Sequence, residues 1–299
     1  MTQHPFLHGI HVPLITPFTA EGRIAEDSLE ELARDVLDAG ATGIVALGTT
    51  AEAAVLDAEE KAAVINVCAR VCRERDAALM MGAGTNDTRA SERALAELTQ
   101  WPEVSAALVP VPYFTRPSQA GVLAHFTHLA HTSPLPLVVY HIPCRTGQSL
   151  NASDLRSLGR LPGVVGTKLA QTGIDQETVD LLGDLPPDFA VLAGEDLSLS
   201  PLLALGAAGG IIASAHLATG RFVELAAAWH QGDLSRARDL GHALARLSAA
   251  AFCEPNPTVI KGVLHAQGRI PTPAVRLPLL PACRNSVVEV LKCLADLGE

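Results

Sequence analysis

Eight short and almost uninterrupted apolar runs recur along this chain, each followed by a longer amphipathic stretch, and few folds accommodate that rhythm. The runs are GIHVPLI (9–15), TGIVALG (42–48), AALMMGAG (77–84), VSAALVP (104–110), PLVVYHI (136–142), GVVGTKLA (163–170), FAVLAG (189–194) and GGIIAS (209–214). They do not alternate apolar with polar, which is the pattern of parallel strands covered on both faces. Helical signals lie between them. DSLEELARDVLDAG (27–40) repeats its apolar residues at three- and four-residue spacing and ends on Gly40, where a C-terminal cap belongs. DAEEKAAVINVCARVC (57–72) opens with Asp57 three residues before Glu60, a capping box. DTRASERALAELTQ (87–100) and SQAGVLAHFTHLAHT (118–132) follow.

Strand–helix alternation repeated eight times predicts an α/β fold, a (β/α)8 TIM barrel. An open doubly wound sheet is the runner-up, but no G-x-G-x-x-G follows the first run. Strand signals stop near residue 219, and four helical segments fill the remainder. The expected organisation is a catalytic barrel over 1–230 and a C-terminal helical domain over 231–299. The chain has 299 residues, which suits one barrel with such an appendage.

A formal net charge of −10 makes nucleic acid and anionic membranes poor partners for the surface. No run of about 20 apolar residues offers a membrane span, and the first residues lack the basic and apolar regions of a signal peptide. None of the six cysteines has C-x-x-C spacing. They are expected to be free thiols in a reducing compartment, the cytoplasm.

In such barrels chemistry gathers at the C-terminal ends of the strands. There the chain places Thr49 and Thr50 after the second run, Tyr113, Phe114 and Arg116 after the fourth, Tyr140 and Arg145 at the fifth, Lys168 at the sixth, Gly194, Glu195 and Asp196 at the seventh, and Ser214 and His216 at the eighth. Lys168 stands among Val164, Val165 and Leu169. Burial there disfavours its charged form, and a neutral amine can attack a ketone to form a Schiff base. A tyrosine hydroxyl on the adjacent strand can move the protons that step needs. Hydroxyls and backbone N–H groups in GTT suit a carboxylate, and Arg145 can hold a second one in a bidentate fork. Other groups attract blander expectations. His125, His128 and His131 share a helix without a carboxylate, so no metal is expected. His216 reads as a hydrogen-bonded core or rim residue, Cys68 and Cys72 as packing residues, and Glu195–Asp196 as a solvated loop pair.

Several motifs together resemble the dihydrodipicolinate synthase / N-acetylneuraminate lyase family of pyruvate aldolases. They are GIHVPLITPF, GTTAEA, GAGTNDT, YFTRPSQAGVLAHF, YHIPCRTG, GTKLAQ, CEPNPTVIKGVL and RLPLLP, in that order along nearly the whole chain. The last two are most similar to the synthase branch. The resemblance implies a TIM barrel with a C-terminal helical domain, a homotetramer or dimer, and no cofactor. It implies that Lys168 forms the imine with pyruvate, that Tyr140 and Thr49 relay protons, that Thr50 holds the pyruvate carboxylate with Thr49, that Arg145 holds the carboxylate of an aldehyde, and that Gly194 and Ile211 line the pocket.

Four departures stand out. Phe114 occupies a position where the synthases carry a relay tyrosine that crosses between subunits. Ala51 replaces a glycine. Leu169 replaces a glutamate after the lysine. Ala58, Lys61 and Ala90 stand where regulated synthases bind feedback lysine, so no such inhibition is expected. The expected activity is a condensation of pyruvate with aspartate semialdehyde, of the 4-hydroxy-tetrahydrodipicolinate synthase type. Phe114 and Leu169 keep open an aldolase or dehydratase acting on 2-keto-3-deoxy sugar acids or other 4-hydroxy-2-oxo acids. A non-catalytic keto-acid-binding relative is the lesser alternative.

Overall fold

Each of the eight apolar runs forms a parallel strand in the computed structural model, which describes residues 4–299. The strands are β1 (Gly9–Pro13), β2 (Gly43–Ala46), β3 (Ala78–Gly82), β4 (Val104–Pro110), β5 (Leu137–His141), β6 (Val164–Leu169), β7 (Ala190–Ala193) and β8 (Gly209–Ile211). They close in sequence order, with β1 hydrogen-bonded to both β2 and β8. The TIM-barrel expectation therefore holds, and the open-sheet alternative does not.

Closure explains the unbroken apolar runs. Side chains alternate across each strand. One set, including Val45, Met80, Leu108, Val138, Leu192 and Ile211, packs in the barrel interior. The alternate set, including Ile44, Leu79, Val109, Val139 and Val191, belongs to the larger core beneath the helices. Neither face meets water, so both are mostly apolar, with His11, His141, Thr167 and Lys168 among the buried polar exceptions.

The intervening helices begin and end where local chemistry dictates. The helix Ala58–Arg75 carries the expected capping box, with Asp57 accepting from the Glu60 N–H and Glu60 from the Asp57 N–H. Gly40 follows the helix Glu26–Asp38 at φ +95°, the left-handed stop that glycine tolerates. Cys68 and Cys72 are buried, and burial pushes the Cys72 thiol up to about 12. Four helices, Thr219–Gln231, Leu234–Ala251, Thr258–Ala266 and Arg284–Leu297, complete the chain. Leu234–Ala251 packs against its predecessor, against Arg284–Leu297 and against the segment after β7. No described helix is long and apolar enough to cross a membrane.

Candidate active site

A single irregularity decides where Lys168 points. Between β5 and β6 the register begins with Leu137 opposite Val164, then jumps so that Val138 lies opposite Gly166. Val165 is the extra residue of this bulge. Without it, Lys168 would pair with His141 on the outer face, because a one-residue slip exchanges the faces of a strand. With it, Lys168 pairs with Tyr140 on the inner face.

Both side chains are almost fully enclosed, Lys168 at 7% exposure and Tyr140 at 8%. The Lys168 Nζ lies 4.5 Å from the centroid of the Tyr140 ring. Gly194 closes the other side of the lysine. A Cβ there would stand 2.7 Å from Lys168 Cγ and 2.9 Å from Cε. Gly194 does not sit at positive φ, so alanine would meet no backbone strain, only the lysine stem and the Ala170 Cβ at 2.9 Å. We expect Gly194→Ala to fold but to lower kcat/KM for pyruvate by about 100-fold, since a shift near 1 Å in a reacting group has that scale of effect. Steady-state kinetics beside a melting curve checks this.

Thr49 and Thr50 lie on a single 3-10 turn, Thr49–Ala51, directly after β2. Thr49 is exposed at the barrel mouth and Thr50 is buried. The left-handed residues flanking the turn are Leu47 (φ +53°) and Glu52 (φ +55°). Ala51 is not among them, so alanine in place of glycine costs no backbone strain here. The Thr16 hydroxyl donates to the Ala51 carbonyl at 2.8 Å, and Asn256 Nδ2 donates to Thr50 Oγ1 at 2.9 Å.

Glu52 anchors the same turn. Its carboxylate accepts from Lys261 Nζ at 2.7 Å and from the Arg276 N–H at 2.7 Å. Lys261 also donates to the Thr16 carbonyl at 2.9 Å and lies over the Phe18 ring. Burial pulls the Lys261 amine down to about 8 against the pull of Glu52. Sequence reasoning missed this network, because Glu52 and Lys261 are 209 residues apart. Both sit inside quoted motifs, and an acid and a lysine within apolar runs were the available signal.

Arg145 is exposed at the end of a one-turn helix, Pro143–Thr146, with no carboxylate partner among the described residues. Ile211 packs in the interior cluster with Tyr140 and Leu192. Thus Lys168, Tyr140, Gly194 and Ile211 share the interior, while Thr49, Thr50 and Arg145 sit on the loops above it.

Two expectations need correction. Asp196 is not solvated: it is 4% exposed and accepts from the Ser214 N–H at 2.6 Å, tying the β7 loop to the β8 loop. Burial pushes its carboxyl up. Its neighbour Glu195 is half-buried, and burial and then Asp196 push its carboxyl up while Lys168 opposes them. Leu169 does not line the pocket either. It is 2% exposed in the outer core beneath the helices, because it follows the inward-facing Lys168.

The histidines have separate roles. His216 Nε2 accepts from the Ile15 N–H at 3.1 Å while Nδ1 faces the Ala213 carbonyl at 2.8 Å. That pairing needs the neutral ring, and burial lowers its pKa to about 4. His125 pairs with Thr88, His128 with Glu92 and His131 with the Thr127 carbonyl, so the three rings diverge. Phe114 is 88% exposed with φ +68°, and Tyr113 beside it is 39% exposed.

Comparison with known proteins agrees with this geometry. The model of the "Dihydrodipicolinate synthetase family" matches residues 6–296. The chain is 34% identical over 293 residues to a 4-hydroxy-tetrahydrodipicolinate synthase of Neisseria meningitidis, covering 98% of this chain and 99% of that one. It is 36% identical to the enzyme of the same name from Synechococcus elongatus, covering 95% and 94%. Among solved structures it resembles the chloride-inhibited dihydrodipicolinate synthase of Acinetobacter baumannii complexed with pyruvate, with TM-score 0.92, 33% identity and coverage of 98% and 99%.

Proposed function

This chain belongs to the dihydrodipicolinate synthetase family, and on that premise we propose that it condenses pyruvate with aspartate semialdehyde through an imine on Lys168, as a 4-hydroxy-tetrahydrodipicolinate synthase. The observation that carries the proposal is the inward register pair of Lys168 and Tyr140, enclosed within the barrel.

The amine attacks the ketone carbon of pyruvate, and the Tyr140 hydroxyl supplies and removes protons as the carbinolamine loses water. The enclosed site keeps bulk water from reversing that loss. The protonated imine then draws electrons from the methyl carbon, which gives up a proton and becomes a nucleophile toward the aldehyde. Addition places the amino group of the aldehyde partner within reach of the imine carbon, and its attack there frees Lys168. Thr50 and Thr49 hold the pyruvate carboxylate, and the exposed Arg145 guanidinium takes the carboxylate of the second substrate. No step needs a metal or an organic cofactor.

One residue favours the second reading. Phe114 carries no hydroxyl to finish a proton relay, which keeps a sugar-acid aldolase or dehydratase under consideration; Leu169, facing away from the pocket, does not. The apolar Tyr113 and Phe114 side chains at the barrel mouth support self-association into a homotetramer or dimer. A coupled assay with pyruvate and aspartate semialdehyde, run beside cleavage of 2-keto-3-deoxy sugar acids, tests the choice. We expect robust turnover of aspartate semialdehyde. Negligible turnover with it, beside a robust sugar-acid rate, would reverse the assignment.

A further inference from the structure

We infer that Asn256, at the entry to the helix Thr258–Ala266, is a positioning residue that sets the direction of the Thr50 hydroxyl and so tunes the affinity for the keto acid. The inference rests on the proposed role of Thr50 at the pyruvate carboxylate. Asn256 comes from the C-terminal helical region, 206 residues away, yet its Nδ2 lies 2.9 Å from Thr50 Oγ1. An amide nitrogen can only donate, so the Thr50 oxygen accepts in this bond. Its own O–H is then directed away from Asn256 and is free to donate. A carboxylate is acceptor-only, and a hydroxyl serves it only by donating. The amide therefore orients the hydroxyl for an anion before the anion arrives, as a supporting hydrogen bond does for a site of fixed geometry.

The surroundings support this orientation. Thr50 is 4% exposed and sits in a turn already held by Thr16 and Glu52. If oxygen and nitrogen of the amide were exchanged, the bond to Thr50 would run the other way, and the hydroxyl proton would be spent on Asn256. The two arrangements make opposite demands on residue 256.

Asn256→Leu separates them. A leucine keeps the shape, adds no charge beside the anion and can neither donate nor accept, so the proposed arrangement loses its orienting donor while the exchanged one would free the hydroxyl proton. The readout is the pyruvate concentration that half-saturates borohydride trapping, together with KM and kcat in the coupled assay. We expect half-saturation and KM for pyruvate to rise on the order of 10-fold, with a smaller change in kcat, because a charge-assisted hydrogen bond of this kind carries that scale of free energy. Thr50→Val gives a rise of its own, and Asn256→Ala added to it should produce no further rise, since the hydroxyl that Asn256 orients is already gone. Melting curves identify any variant that fails to fold, and the Thr50→Val background then serves with Asn256→Gln. An Asn256→Leu protein with unchanged or lowered half-saturation overturns the inference, as does a full additional loss on the Thr50→Val background. Absence of trapping in the unaltered protein would instead refute the imine itself.

Discussion

Replacing Lys168 with arginine or methionine abolishes pyruvate-dependent turnover, with an expected loss of more than about 10⁴-fold, the scale seen when a covalent nucleophile is removed. The two variants separate charge from chemistry. Arginine keeps a cation next to the Tyr140 ring but cannot be deprotonated to a nucleophile. Methionine keeps an unbranched stem within the apolar interior and removes the charge. If Lys168 acted only through its charge, the arginine variant would retain most of the activity. Steady-state assay of both variants, with melting curves to confirm folding, reads the result.

The second large effect concerns stability. Glu52 and Lys261 are both almost completely buried, at 1% and 0% side-chain exposure, and 2.7 Å apart. Removing one member leaves the other as a buried charge without its partner, which costs about 3–5 kcal/mol. For a chain of this size, Lys261→Met should lower the melting temperature by roughly 5–8 °C. Adding Glu52→Gln removes the stranded charge while preserving an acceptor for the Arg276 N–H, so the double variant recovers part of the loss. A double variant no more stable than Lys261→Met would show that the ion pair is not the source of the effect. The network also carries the turn that presents Thr49 and Thr50, so Lys261→Met should raise KM for pyruvate even below its melting temperature.

The barrel was legible because closure leaves a specific trace: eight short, mostly apolar strands, each followed by a helical stretch. Helix ends were less so. The segment expected to be helical over 87–100 is α-helical only over Thr88–Glu97, and its last turn tightens to 3-10 over Leu98–Gln100. The lysine–tyrosine pair could be placed on adjacent strands, but its inward orientation depends on the Val165 bulge, for which Gly166 inside the apolar run was the available signal. Leu169 was misjudged for a related reason, since adjacency in sequence is opposition in a strand. Asp196 was taken for a loop acid because its partner, the Ser214 N–H, belongs to the next strand's loop. Long-range polar contacts, such as Glu52–Lys261 and Asn256–Thr50, leave no periodic pattern at all. They join residues whose proximity exists only after the C-terminal helices pack on the barrel.

Incubation with pyruvate followed by borohydride reduction, with mass mapping of the digested chain, addresses the central claim most directly. The account predicts one reduced pyruvate adduct per chain, on the peptide containing Lys168, and none in the Lys168→Met variant. An unmodified Lys168 peptide, or an adduct carried instead by Lys261 or a surface lysine, would contradict it.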